Sequence, residues 1–190
     1  SPDLQFHIAC NYFYCFDRFH LSLFQSECDY RISEERMNFQ VKIAEIIGTT
    51  AFIGRLPLAP GTWGSAAALL VWYFIAPCIE SPLFLLITLA LFFVGVVVSD
   101  ILIEAWNEDD PSAIVIDEWV GQWIALWLVP HSITWGLMAF LWFRLFDILK
   151  PGPVQLMDDM KSGVGVMMDD VVAGILALFM TMSIHYFWTA

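Results

Sequence analysis

The sequence predicts an all-α fold, a multi-pass membrane bundle with about five membrane-embedded helices. Of the 190 residues, 59% are hydrophobic and only 15% are charged, and the mean hydropathy is +0.68. An ordinary soluble domain has about 45–50% apolar and about 25% charged residues. After residue 65, apolar runs alternate with short polar breaks. A soluble bundle of unusually apolar helices remains an alternative interpretation, because the pattern does not separate helix faces.

Five apolar segments define the predicted helices. A transmembrane helix needs about 20 apolar residues, within a range of about 17–25. The second and fifth segments meet this length on their own, and we expect the first and third to be tilted, shallow or re-entrant. The segments cover residues 66–80, 83–103, 114–129, 133–149 and 171–188.

The N-terminal residues 1–36 differ from the rest of the chain. They mix aromatic, acidic and cysteine residues without an apolar pattern, and the first methionine is Met37. We expect Met37 to be the native start and residues 1–36 to be a disordered or non-native extension of a membrane domain at 37–190. The chain's cysteines show neither a disulfide framework nor zinc-ligand spacing.

Basic residues beside the apolar segments predict the orientation. Lys42 and Arg55 precede the first segment, and Lys150 and Lys161 follow the fourth. Lys and Arg favour the cytoplasmic side, so we expect these flanks there. Five crossings then bring every polar cluster to one membrane surface. The polar connections that meet are 37–65, 104–113 and 150–170.

Acidic residues occur as short clusters beside apolar runs, and they give a formal net charge of -12. A nucleic-acid partner is therefore not expected, because binding to a phosphate backbone needs clustered Lys and Arg. The adjacent carboxylates Asp117 and Glu118 interrupt an apolar run, where an Asp at membrane depth costs about 2.5–3.5 kcal/mol. A bound Mg²⁺ offsets this cost, since it prefers carboxylate oxygens. The alternative is an interfacial helix N-terminus with favourable acidic residues.

A second carboxylate pair, Asp169 and Asp170, precedes the last apolar segment. It follows Gly163 and Gly165, whose spacing alone is weak evidence for a phosphate loop. Two such pairs on the same predicted side favour a shared cation site.

Two further motifs contain candidate phosphate contacts. At 60–65, the sequence Pro-Gly-Thr-Trp-Gly-Ser predicts a turn in which Thr62 or Ser65 caps the first helix and exposed N–H groups favour an anion. An ordinary loop that enters a helix has the same pattern.

In the stretch 143–151, Arg144, Asp147 and Lys150 recur at i, i+3 and i+6 and share one helical face. Arg144 can fork onto phosphate oxygens with Lys150 as a point charge, while Asp147 binds metal or orients Arg144. A snorkelling set with an internal ion pair is the alternative.

Several phosphatase mechanisms do not fit the sequence. No cysteine is followed by Arg at the sixth position, which excludes the Cys-x5-Arg loop. The histidines lie outside the polar segments, so a phosphohistidine or a Ser-His-Asp mechanism is not expected. Attack by water with metal assistance remains. The histidines are His7, His20, His131 and His185.

Four motifs closely resemble, in order and spacing, those of the phosphatidylglycerophosphatase A family. The resemblance covers roughly residues 40–188. It implies a Mg²⁺-dependent integral enzyme of the bacterial inner membrane that converts phosphatidylglycerophosphate to phosphatidylglycerol and inorganic phosphate. The motifs are Pro-Gly-Thr-Trp-Gly-Ser at 60–65, Ile-Asp-Glu-Trp-Val-Gly at 116–121, Phe-Arg-Leu-Phe-Asp-Ile-Leu-Lys-Pro at 143–151 and Gly-Val-Gly-Val-Met-Met-Asp-Asp-Val-Val-Ala-Gly at 163–174.

The resemblance also implies roles for individual residues around a phospholipid substrate, on the cytoplasmic side. The carboxylates implied as metal ligands or water activators are Asp117, Glu118, Asp147, Asp169 and Asp170. Those expected to hold Mg²⁺ are Asp117, Glu118, Asp169 and Asp170. The residues implied to contact the phosphate are Thr62, Arg144 and Lys150.

Three other functions are alternatives to this one. A CDP-alcohol phosphotransferase would need an Asp-Gly-x-x-Ala-Arg motif, which the sequence lacks. A membrane transporter can use intramembrane carboxylates as an ion site, but near the midplane, whereas these carboxylates lie at predicted helix ends. An interaction subunit without chemistry is the third alternative. The sequence predicts no oligomeric state.

Overall fold

The computed structural model describes residues 37–108, 111–158 and 162–189. The predicted extension at 1–36 lies outside these residues. The helices that concern function belong to one compact unit, Val41–Ala190.

The described part of this unit is helical and contains no β-strand, so the all-α prediction is confirmed. Short 3₁₀ turns at Ile53–Arg55 and Ala76–Cys78 flank helix α2. The helices are α1 (described over 37–48), α2 (Pro60–Ile75), α3 (Ser81–Trp106), α4 (Ile116–Leu126), α5 (Ile133–Leu149), α6 (Pro153–Asp158) and α7 (Gly163–Thr189).

Three helical stretches among the described residues are long and apolar enough to cross a membrane: Pro60–Cys78, Ser81–Trp106 and Gly163–Thr189. Helix α4 has 11 residues and is therefore about 16 Å long at about 1.5 Å per residue. That is about half of a hydrocarbon core of about 30 Å. Helix α5 has 17 residues but includes Arg144 and Asp147. The predicted count of five spans is not confirmed, and the structure supports three.

Helices α2 and α7 begin earlier than the sequence predicts. Pro60 is the first residue of α2, where its fixed φ suits the first helical position. The predicted capping by Thr62 or Ser65 is wrong, because both lie inside the helix and Ser65 Oγ donates to the Gly61 carbonyl (2.7 Å). The stretch with Gly163 and Gly165, whose spacing was weak evidence for a phosphate loop, is likewise helical, since α7 begins at Gly163.

Glycines allow α4 and α7 to approach each other closely. A Cβ on Gly174 would collide with the Gly121 carbonyl oxygen, and a Cβ on Gly121 would lie 2.6 Å from the Asp170 carbonyl oxygen. Backbone atoms cannot move aside as a flexible side chain can. This contact holds the first turn of α4 beside the part of α7 that carries Asp170.

We expect Gly174→Ala to destabilise the protein by about 1–3 kcal/mol, the usual cost of overpacking a tight contact. A loss of stability is informative, because Ala in an unobstructed helix interior is more favourable than Gly by about 1 kcal/mol. Without the collision, the same substitution would therefore stabilise the protein. Thermal unfolding in detergent measures the effect. Gly152→Ala is the control, since a Cβ at Gly152 meets nothing within 4 Å. An unchanged Tm for Gly174→Ala would contradict this account of the α4–α7 contact.

The polar connections meet at one end of the helices. The Val115 N–H donates to the Gly48 carbonyl (2.9 Å), and the Gly163 N–H donates to Asp100 Oδ1 (2.7 Å). At the opposite end, Trp127 Nε1 donates to the Ser81 carbonyl (3.0 Å). Helices α2, α4 and α7 therefore begin, and α3 and α5 end, beside the same surface.

Candidate active site

A cavity of about 300 Å³ opens at the end of the bundle where the polar connections meet. Its lining combines carboxylates from α4, α5 and α7 with basic side chains from α5. Every site residue that the sequence predicts, except Thr62, is part of this lining. The predicted residues that line the cavity are Asp117, Glu118, Arg144, Asp147, Lys150, Asp169 and Asp170.

Three carboxylates form a compact group in this cavity. Asp117, Glu118 and Asp170 each offer one oxygen, and these oxygens lie within 4.8 Å of one another. Asp117 and Glu118 occupy the first turn of α4, and the glycine contact between α4 and α7 places Asp170 opposite them. Both carboxylate pairs of the sequence thus line one cavity, although 50 residues lie between Glu118 and Asp169.

Two oxygens of this group are buried without a hydrogen-bond donor among the described residues. They are Glu118 Oε2 and Asp170 Oδ1. A buried carboxylate that lacks donors is costly unless a positive charge lies close to it. The donor set consists of carboxylate oxygens, which are the ligands that hard divalent cations prefer. These residues therefore fit a site for Mg²⁺ or a similar ion.

The protonation equilibria of the α4 carboxyls indicate the same need for positive charge. Burial is the main cause that raises the pKa of Glu118 to about 8; the charges of Asp170 and Asp147 act in the same direction, whereas the hydrogen bond with Asp117 and the charge of Arg144 oppose the rise. Burial, followed by the charge of Glu118, raises the pKa of Asp117 well above its ordinary value. A bound cation would offset the cost of ionising both groups.

Asp169 lines the cavity outside the three-carboxylate group. Its Oδ1 accepts the Asp170 N–H (2.9 Å), and its Oδ2 lies 3.1 Å from Lys150 Nζ. Lys150 has φ 42, a left-handed conformation, where α5 ends. The helical spacing of i, i+3 and i+6 therefore does not extend to Lys150, which pairs with α7 instead.

Arg144 is held by partners on two helices. Its Nη1 lies 2.6 Å from Asp147 Oδ2 on α5 and donates to Ser65 Oγ on α2 (3.4 Å). The Arg144–Asp147 pair is the internal ion pair that the sequence allowed as an alternative. Both side chains line the carboxylate cavity.

Gly61 lets the α2 backbone approach this cluster. A Cβ at this position would collide with Glu118 Oε1 and would lie 3.1 Å from Arg144 Nη1. Thr62, the predicted phosphate contact, is the next residue on α2 and points about 100° away around the helix, so it does not line the cavity. The sequence did not predict these roles of Gly61 and Ser65, because both residues were expected in a turn.

Comparisons with known proteins agree with these motifs. The model of the phosphatidylglycerophosphatase A family matches residues 46–185. A Bacteroides thetaiotaomicron protein, provisionally named a phosphatidylinositol-3-phosphatase, is 42% identical over 121 residues, which cover 60% of this chain and 76% of that protein. No solved structure matches the chain.

Two further relatives bear the family's name. Phosphatidylglycerophosphatase A of Haemophilus influenzae is 37% identical over 107 residues, covering 56% of this chain and 66% of that protein. The Escherichia coli protein of the same name is 32% identical over 106 residues, covering 55% of this chain and 61% of that protein. These matches confirm the predicted enzyme class, a phosphoric monoester hydrolase, and give the transporter alternative no support. The family model covers most of the chain, which therefore belongs to the phosphatidylglycerophosphatase A family.

Proposed function

We propose that this protein removes the terminal phosphate of phosphatidylglycerophosphate in a Mg²⁺-dependent reaction and releases phosphatidylglycerol and inorganic phosphate. One observation carries the proposal. Buried carboxylate oxygens of Glu118 and Asp170 without donors lie in the same cavity as the guanidinium of Arg144. The carboxylate oxygens suit a divalent cation, and the guanidinium suits a phosphate. A lipid phosphomonoester bound beside a cation satisfies all of these groups.

Asp117, Glu118 and Asp170 would hold the cation, because their oxygens already lie within 4.8 Å of one another. When bound, Mg²⁺ polarises a phosphoryl group and lowers the pKa of a coordinated water. Asp147 and Asp169 lie outside this group and pair with Arg144 and Lys150. Their first task is therefore to orient the two basic side chains.

Arg144 and Lys150 recognise the phosphate. The planar guanidinium donates two parallel hydrogen bonds to phosphate oxygens, and the Lys150 ammonium adds a point charge. Water attacks phosphorus in line as the bond from phosphorus to the glycerol oxygen breaks; one proton of the water is transferred to the leaving glycerol oxygen, and the other stays on the released phosphate. Negative charge that develops on the equatorial oxygens is stabilised by the same donors.

The position of the cavity suits a substrate that stays in the membrane. It lies where the spanning helices α2 and α7 begin and α3 ends, so the acyl chains can remain in lipid while the head group enters. Lys42 and Arg55 precede α2, and Lys150 follows α5 at this end. By the preference of basic flanks for the cytoplasm, we place the site on the cytoplasmic side of the bacterial inner membrane.

Phosphatidylinositol 3-phosphate is the second candidate substrate, since the Bacteroides relative is named for it. The two lipids present different alcohols to the same phosphate site. The carboxylates and Arg144 recognise the phosphate alone, so residues outside the described cluster determine which alcohol is accepted.

Phosphate release by the purified protein in detergent tests the proposal. We expect release from phosphatidylglycerophosphate with Mg²⁺, none with EDTA, and recovery when Mg²⁺ is added back. Phosphatidic acid and phosphatidylinositol 3-phosphate are the comparison substrates. If phosphate were released faster from either of them, that lipid would be the preferred substrate instead. Full phosphate release in EDTA would refute the metal requirement.

A further inference from the structure

A buried amide lies on α4, one helical turn after Glu118. Gln122 is fully buried, with 0% of its surface exposed. Neither its Nε2 nor its Oε1 has a hydrogen-bond partner among the described residues. Most buried polar groups in proteins are hydrogen-bonded, so a fully unpaired amide needs an explanation. An apolar side chain of similar size would fill this position at lower free energy.

The helix register places Gln122 on the face of α4 that carries Glu118, the face that α2 approaches. Gln122 follows Glu118 by four residues and lies on the same face of α4. Helix α2 runs alongside that face, because Gly61 contacts Glu118 and Trp123 Nε1 donates to the Ala68 carbonyl (3.1 Å). Between these two contacts lies Ser65, the residue whose Oγ accepts from Arg144.

The unpaired groups around this point are complementary in hydrogen bonding. Glu118 Oε2 is a buried acceptor without a donor, and Arg144 Nε is a buried donor without an acceptor. A glutamine amide supplies one group of each kind, since Nε2 donates and Oε1 accepts. Its two ends match the two charged side chains that the proposed reaction uses.

We propose that Gln122 is a positioning residue for phosphate hydrolysis. Its Nε2 donates toward Glu118 Oε2 and its Oε1 accepts from Arg144 Nε, directly or through one buried water, in the substrate complex. The amide thereby fixes the carboxylate that serves the cation and the guanidinium that serves the phosphate, without touching the substrate. This inference rests on the proposed function.

Gln122→Met tests the inference, since it keeps the length of the side chain and removes both hydrogen-bonding groups. We expect kcat/KM for phosphatidylglycerophosphate to fall about 10- to 100-fold, the range for a lost hydrogen bond to a charged group. The apparent Tm in detergent should rise by about 2–4 °C, because a buried unpaired amide is removed. A purely structural residue would not change Tm and activity in opposite directions.

Thr181→Val is the matched control. Thr181 is also fully buried on α7, and its Oγ1 has no partner among the described residues. It lies 11 residues beyond Asp170, about 16 Å along the helix. We expect Thr181→Val to preserve kcat/KM and not to lower Tm. Gln122→Asn, which keeps the amide, should retain more activity than Gln122→Met.

A double-mutant cycle separates a specific contact from general disturbance. Lysine has no Nε–H donor, so in an Arg144→Lys background Gln122→Met should lower kcat/KM by a smaller factor than in wild type, because only the contact with Glu118 is then lost. The role of Gln122 would be overturned if Gln122→Met lowered kcat/KM by the same factor in both backgrounds. Full activity of Gln122→Met, or a loss of both Tm and activity, would also overturn it. Wild-type protein that releases no phosphate would instead refute the proposed function, and the positioning role with it.

Discussion

Asp170→Asn is expected to lower kcat/KM for phosphatidylglycerophosphate by roughly 10³-fold without destabilising the protein. Removing one electrostatic stabiliser of a transition state costs about 10²–10³-fold, and this carboxylate would also hold the cation. Asp170 is 3% exposed and lies within 4.8 Å of Asp117 and Glu118, measured between carboxylate oxygens. Neutralising it relieves repulsion among these groups, so Tm in EDTA should stay level or rise.

Phosphate release and thermal unfolding of the purified variant check the two halves of this prediction. Glu108→Gln is the matched control, because Glu108 is an exposed carboxylate at the same end of the bundle and does not line the cavity. We expect the control to retain wild-type activity. If Asp170→Asn protein kept wild-type kcat/KM at saturating Mg²⁺, Asp170 would have no role in the reaction.

Arg144→Lys has the second largest expected effect, a loss of about 10²-fold in kcat/KM with a raised KM. The substitution keeps the positive charge but removes the planar fork that binds phosphate through two parallel hydrogen bonds. It also breaks the arrangement in which Arg144 contacts both Asp147 and Ser65. Both substrate binding and stabilisation of the transition state therefore weaken.

Steady-state kinetics on the lipid measure this loss, with Arg55→Lys as the control. Arg55 is exposed and pairs with Glu45 outside the cavity, so a lysine there should leave kcat and KM unchanged. If Arg144→Lys and Arg55→Lys behaved alike, charge alone would suffice and the proposed fork on the phosphate would be wrong.

The sequence predicted helices where a long apolar run decides the structure. Segment 83–103 lies within α3, and segment 133–149 coincides with α5. It failed where glycine and proline occur at a helix start. Pro60 was assigned to a turn and Gly163 to a polar connection, but proline suits the first helical position and glycine permits close packing of α7 on its neighbours. The apolar segment 114–129 also overestimated the length of α4, which ends at Leu126.

For the site, the motifs predicted the residue types and the common surface, and the structure determines the pairing. Spacing along one helix placed Lys150 beside Arg144, but the left-handed backbone at Lys150 directs it to Asp169 instead. Ser65 and Gln122 could not be assigned, because their neighbours depend on the register between α2 and α4. Thr62 was assigned from its motif, although the helix turns it away from the cavity.

Binding of Mn²⁺ to the purified protein in detergent, followed by electron paramagnetic resonance, tests most directly whether the clustered carboxylates hold a cation. Mn²⁺ takes the same oxygen ligands as Mg²⁺ and reports binding without turnover. We predict that wild-type protein binds Mn²⁺ and that Mg²⁺ displaces the bound Mn²⁺. Asp170→Asn protein of equal Tm should bind Mn²⁺ far more weakly. Equal Mn²⁺ binding by both proteins would contradict the central claim.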